Sequence, residues 1–228
     1  MTKNLFLINH ALAVNQLSVF DTQTRFEQTL GTLDSIDRFC PGSLKIIFDS
    51  SPLPVEQGYI NALAARGAIF RSYGDIPTVK MFSERGRRSE AETISFMHCL
   101  DWVTKSGFRG GRVYKLSGRY ELTKDFVPEM EIFKDFFVFS SALPSWMSPV
   151  LQEKSGVSKL YRLRLWHMDY TLLPAFKETL PKILKDCIQF GIDVEHSYYK
   201  HLSSMDVMEI PVIGVHGFVA PSGEEISE

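Results

Sequence analysis

Between Leu5 and Ser72 the sequence switches repeatedly between short apolar runs and longer stretches with apolar residues every three or four positions. Residues 5–8 form a continuous apolar run, the pattern of a strand covered on both faces. Asp21 or Thr22 then offers an N-cap, and Thr24 with Glu27 has capping-box spacing. Phe26, Leu30, Leu33 and Ile36 follow at helical intervals until Pro41 and Gly42 end the helix. Residues 44–48 read as a second strand, 55–66 as a second helix and Ala68–Ser72 as a third strand. Strand, helix, strand, helix, strand in so short a span specifies an α/β fold: a mostly parallel central sheet with helices on both faces.

The pattern continues with a loop over 73–88, which carries Gly74, Pro77 and Gly86. A helix over 89–105 is apolar nearly all round and hence deeply buried, and 113–116 forms a fourth strand. Beyond it regularity falls off. Residues 136–140 and 160–166 read as strands, and the stripe Leu173, Phe176, Leu180, Ile183, Cys187, Phe190 as a helix that Pro181 should kink or restart. A short helix over 194–202 and a strand over 212–215 complete the chain. With no repeat, low-complexity segment or linker, the expectation is one domain over 1–228, a regular half at 1–122 and an irregular half at 123–228.

Composition narrows the class. At 44% hydrophobic residues with 17 Phe and 8 Tyr, the chain has material for a large core and is not disordered. Its 25 Lys and Arg against 27 Asp and Glu lack the basic surplus that duplex nucleic acid or an anionic membrane demands. Local clusters (Arg85, Arg87, Arg88; Arg109, Arg112) leave a small phosphorylated ligand open. Cys40, Cys99 and Cys187 are widely spaced, without CxxC, and read as buried thiols in a reducing compartment. No apolar run suits a signal peptide or a membrane span, so the expected location is cytoplasmic.

Several catalytic signatures are absent: GxGxxG after the first strand, GxxxxGK[ST], HExxH and GxSxG. The distinctive segment is 114–122, Tyr-Lys-Leu-Ser-Gly-Arg-Tyr-Glu-Leu. A strand leaves the sheet at its C-terminal end, where open α/β sheets place ligands, and delivers Lys115, Ser117, Gly118 and Arg119. Gly118 would let the backbone approach a ligand closely, and Arg119 offers a planar fork for phosphate. A hairpin-like turn with solvated charges reads the same residues equally well.

That segment, with 23–30 (Gln-Thr-Arg-Phe-Glu-Gln-Thr-Leu) and 214–223 (Gly-Val-His-Gly-Phe-Val-Ala-Pro-Ser-Gly), resembles a family of small bacterial and phage proteins of the GT-A, nucleotide-diphospho-sugar transferase type. The resemblance implies a glycosyltransferase that uses a nucleotide-sugar donor and an acceptor of open identity: glycan, lipid, protein or modified nucleobase. It departs from the GT-A pattern where Asp-x-Asp would hold a divalent metal, since Ser117-Gly118-Arg119 stands there. No cofactor is therefore assigned; Mn²⁺ or Mg²⁺ stays open with ligands unknown, and cations in place of the metal are the alternative.

Within that resemblance the donor site draws on Arg25, Asp49, Arg87, Lys115, Ser117, Gly118, Arg119 and His216. Arg25 opens the first helix, Asp49 ends the second strand, and Arg87 stands at the start of the buried helix with Arg88, Glu90 and Glu92. The acidic segment Asp193-Val194-Glu195 resembles the start of an acceptor-side helix in inverting enzymes, which makes Glu195 the expected general base and Asp193 its substitute. An N-cap role accounts for Asp193 alone, not for both acids. Two other readings remain: a non-catalytic nucleotide-sugar-binding or scaffold member of the fold, and a nucleotidyltransferase, which needs clustered carboxylates not seen here.

Overall fold

The computed structural model describes residues 3–13, 19–128, 131–219 and 222–228. The first part runs β1 (Leu5–His10), α1 (Thr22–Phe39), β2 (Leu44–Asp49), α2 (Gln57–Ala65), β3 (Ala68–Ser72), α3 (Pro77–Glu84), α4 (Arg88–Lys105), β4 (Arg112–Ser117) and β5 (Tyr120–Leu122). The second runs β6 (Phe137–Ser140), β7 (Leu143–Pro144), α5 (Pro149–Ser155), β8 (Lys159–Leu160), β9 (Leu165–Asp169), α6 (Leu173–Phe190), α7 (Val194–Leu202), β10 (Val207–Ile210), β11 (Val215–Phe218) and β12 (Glu225–Ser227).

Seven strands form the central sheet in the order β10-β6-β9-β4-β1-β2-β3, with parallel pairing except where β9 runs against β4 and β6. The α/β expectation holds, and strands from both parts of the chain share this sheet. The alternation along β1 shows why both faces are covered. Leu5 and Leu7 pack with α4 and α6 residues such as Phe96, Leu100, Phe176 and Leu180, whereas Phe6 and Ile8 pack with Leu33 and Ile36 of α1. Aromatic pairs fill the first of these layers: Phe48 stacks on Phe96 at 5.0 Å, and Trp166 meets Phe176 at 5.1 Å. Each such pair adds about 0.5–1.5 kcal/mol beyond its buried area.

Local chemistry sets the helix ends. Asp21 caps α1 by accepting from the Thr24 N–H at 2.8 Å, so the cap is the aspartate and not a Thr24–Glu27 box. Gly191 ends α6 in the left-handed conformation at φ 67°, its N–H returned to the Cys187 carbonyl. Pro181 is exposed, and α6 continues through it as one element in place of the expected kink or restart. All three cysteines are free and buried.

Four expectations need correction. The supposed loop at 73–88 contains α3, which begins on Pro77, because proline at the first helical position loses no hydrogen bond. The strand expected at 160–166 is instead β9 at Leu165–Asp169, since Arg162 and Arg164 turn aside to the Glu228 carboxylate. The strand expected at 212–215 lies at Val215–Phe218, with β10 before it at the sheet edge and β12 at Glu225–Ser227 after it. Finally, α4 is buried on one face only, with His98 and Asp101 exposed.

Candidate active site

The order of the strands creates the site. From β1 the chain builds outward through β2 to β3, then α4 carries it back to lay β4 on the other side of β1. Neighbouring helices thus diverge at the C-terminal ends of β1 and β4, the position at which open α/β sheets leave a crevice. Asn9 and Ser117 are register partners at this point. A cleft of about 400 Å³ opens there, and Asn9, Lys115, Ser117, Arg119, Tyr120 and Glu92 are among the residues that line it. Trp146, Leu163, Arg164, Asp193, Val194, Glu195 and Val219 complete the lining, with Arg164 Nε donating to the Tyr120 hydroxyl at 3.0 Å.

The segment 114–122 is no hairpin, because β5 pairs with β11 in a separate three-stranded sheet. Lys115 and Ser117 alternate along β4 and so project on the same side. Lys115 Nζ lies 2.8 Å from Glu92 Oε1 and donates to the Leu163 carbonyl at 2.9 Å, leaving one of its three protons for the cleft. Arg119 follows, with its buried Nε lacking a hydrogen-bond partner among the described residues. Burial lowers its pKa, and Arg88 and Arg164 push the same way against Tyr120 and Glu92. Arg25 stands behind it, 2% exposed and donating to the Ala11 carbonyl at 2.7 Å. Burial, then Arg119 and Arg88, push Arg25 down to about 10. Cations that depress one another in a desolvated place favour an incoming anion.

The cleft also carries acid. Asp193 caps α7, accepting from the His196 N–H at 3.1 Å and contacting His196 Nδ1. Glu195, in the first turn, is half-buried and faces the cleft. Burial raises its pKa to about 7; Asp193 and Glu92 add to the rise and Lys115 opposes it. A carboxyl so poised holds or releases a proton near neutrality. Among the described residues no group of three or more His, Cys, Asp or Glu is placed to hold a metal ion. Ser117-Gly118-Arg119 stands where the Asp-x-Asp carboxylates would, and the described residues supply no such cluster in their place.

No family model and no curated protein matches this chain. Solved structures do. The galactosyltransferase LgtC, solved in complex with donor and acceptor sugar analogs, aligns with a TM-score of 0.56 at 9% identity over 90% of this chain and 72% of that one. The WbbM bifunctional glycosyltransferase, in its apo form, aligns at 0.55 and 10% identity over 92% of this chain. The present chain spans 39% of the WbbM chain. The fold is GT-A-like.

In this GT-A-like frame, Lys115, Ser117, Arg119, Asp193 and Glu195 meet in one cleft. Gly118 has a different reason from the one expected. A Cβ there would sit 2.5 Å from His10 Cδ2 and 3.3 Å from the Asn9 carbonyl, so the glycine admits β1 and not a ligand. His10 itself is fixed by Thr29 Oγ1 at 2.9 Å and held neutral by burial, with its pKa far below the usual range. Asp49, Arg87 and His216 do not line the cleft. Asp49 is fully buried and accepts from the Leu12 N–H, the Ser51 N–H and the Ser51 hydroxyl, and its pKa is raised to about 6 by burial. It fastens the loop after β1 to the end of β2. Arg87 is held by Glu90 and lies over the Phe82 ring at 5.0 Å. His216 is on β11, bonded to Ser227 Oγ at 3.1 Å and Glu225 at 3.2 Å. In the segment 214–223, Ala220 and Pro221 lie outside the described residues.

Sequence reading missed Asn9, Tyr120, Trp146 and Arg164 as cleft residues. Asn9, at the end of the first strand, was detectable in principle from the switch-point rule, and its buried Oδ1 has no partner among the described residues. Trp146 carries no such signal, because a tryptophan in sequence reads as core. No helix among the described residues is long and apolar enough to cross a membrane.

Proposed function

We propose that this protein is a nucleotide-sugar-dependent glycosyltransferase whose donor diphosphate lies against Lys115, Ser117 and Arg119 and whose general base is Glu195. The observation that carries the reading is the cleft at the β1–β4 switch point, which gathers a buried Arg119 Nε without a partner among the described residues and an elevated carboxyl at Glu195. In the reaction the acceptor oxygen attacks the anomeric carbon as the bond to the diphosphate oxygen breaks. Glu195 takes the proton from the acceptor hydroxyl, and the charge growing on the diphosphate meets Arg119 and the remaining proton of Lys115. Electrostatic stabilisation of this kind acts strongly in a site shielded from water. Asp193, committed to its cap, tunes Glu195 by repulsion and is not the base. Attack from the face opposite the diphosphate inverts the anomeric configuration.

The pairing of Lys115 with Glu92 favours a second reading, a binder that holds a nucleotide sugar without turnover. A thermal-shift screen against nucleoside diphosphates and nucleotide sugars tests both, since saturating ligand at 100 Kd adds about 2.7 kcal/mol to stability. Donor hydrolysis then separates transferase from binder. Absence of any stabilisation refutes both, and a product that keeps the donor's anomeric configuration refutes the inverting scheme.

A further inference from the structure

Trp146 stands out in the lining of the cleft. It is 64% exposed, yet it lines the cleft beside Asp193 and Glu195. The other two tryptophans differ: Trp166 is fully buried and Trp102 is partly covered, with Arg71 over its ring at 5.1 Å. Leaving so large an aromatic surface in water forgoes the burial that usually stabilises such residues. Its position is nevertheless fixed. The ring meets His196 at 5.1 Å and an interplanar angle of 83°, and His196 is wholly buried. His196 is tied at Nδ1 to Asp193 and at Nε2 to Ser145 Oγ at 2.8 Å, while Ser145 Oγ also accepts from the Met147 N–H at 3.0 Å. One chain of contacts therefore joins the platform to the cap that presents Glu195.

We propose that Trp146 is the platform on which a sugar ring of the acceptor stacks, so that the acceptor is a carbohydrate. This deepens the transferase reading, on which it rests. A pyranose has an apolar face of C–H groups that an indole covers, and a rim of hydroxyls that needs acceptors and donors. Asp193, Glu195 and Arg164, which line the same cleft as the indole, supply that rim. An acyl chain would need continuous apolar lining, which these charged neighbours deny it. His196 is a positioning residue: it sets the angle of the indole and touches no substrate.

The test uses the exposure of Trp146 as its reporter. Tryptophan fluorescence is quenched with acrylamide while the protein is titrated with a panel of methyl pyranosides and their disaccharides, against the acyclic polyol sorbitol and phospholipid vesicles. Sugars of the panel should protect against quenching and sorbitol should not. By calorimetry, Trp146→Ala should weaken sugar binding by at least about tenfold, and Trp146→Phe should recover most of it. His196→Ala should raise the acceptor KM more than it lowers kcat, and His196→Gln should restore part of the loss. Cooperative melts of each variant verify folding. No protection by any sugar, equal binding by Trp146→Ala, or protection by vesicles in place of sugars each overturns the proposal. Nucleoside-diphosphate binding by the wild type is measured separately, so that its absence counts against the transferase reading and not against the platform.

Discussion

Replacing Glu195 by glutamine should harm activity and help stability, and the two effects should share one pH dependence. The carboxyl moves from its ordinary 4.5 to about 7 because burial and Asp193 penalise its charge. Below pH 4.5 it is protonated whether the chain is folded or not, and costs nothing. Between pH 4.5 and about 7 the unfolded chain has lost the proton that the folded chain still holds, so stability falls as pH rises. Above about 7 both forms are ionised and the full cost remains. At about 1.36 kcal/mol per pH unit the interval corresponds to ~3 kcal/mol, and water entering the open edge of the cleft reduces it to about 1–2 kcal/mol. Glu195→Gln is isosteric and never charges, so by denaturant titration it should exceed wild type by that amount at pH 8. The advantage should shrink steadily toward pH 5. Turnover should fall by about 10²–10⁴-fold, the usual worth of a general base, and the wild-type rate should rise with pH through an apparent pKa near 7. A stability difference that is flat with pH refutes the burial argument; near wild-type turnover in the variant refutes the catalytic role.

Arg119→Ala should weaken nucleoside-diphosphate binding by about tenfold or more, from a charged hydrogen bond of about 1.5–3 kcal/mol; unchanged affinity by calorimetry defeats the phosphate role. Transfer or donor hydrolysis should persist in excess chelator, because no metal-ligand cluster exists among the described residues; complete loss restored by Mn²⁺ or Mg²⁺ contradicts this. Gly118→Ala should destabilise the fold by about 1–3 kcal/mol through overpacking against His10 and Asn9. A melt equal to that of wild type would show that β1 yields there.

The parts of this molecule that were legible in sequence are those where a single local rule acts. The order β1-α1-β2-α2-β3 follows from apolar runs and caps, and Lys115, Ser117 and Arg119 were found because a strand end in an open sheet faces ligands. Asp193 and Glu195 were found through resemblance, and the cleft brings both to the same place as the cations. What escaped depends on partners distant in the chain. Arg162 and Arg164 look like the polar half of a strand until Glu228 meets them. The edge strand β10 is only four residues long and is followed by Pro211; Glu209 within it accepts from the Tyr161 hydroxyl and the Ala142 N–H. Asp49, Arg87 and His216 have the chemistry of ligand residues, but each spends it on neighbours that no spacing reveals.

The reversed direction of β9 has a consequence for how such a chain can diversify. In a uniformly parallel sheet every segment that enters a strand arrives at the edge away from the crevice. Because β9 runs backwards, the segment entering it, 161–164, arrives at the same edge as the segments leaving β1, β4 and β6. The stretch from the end of β6 to the start of β9, which carries Trp146, Leu163 and Arg164, is thus a cassette anchored at both ends on the rim of the cleft. Its outer part, 145–158 between β7 and β8, can be lengthened, shortened or exchanged while 161–164 stay in place, where the Leu163 and Arg164 carbonyls accept from Lys115 Nζ and the Ser117 N–H. The part of the cleft built on the sheet is held constant while the lining at Trp146 is free to be rewritten, and in the proposed transferase loop grafting there would change acceptor preference.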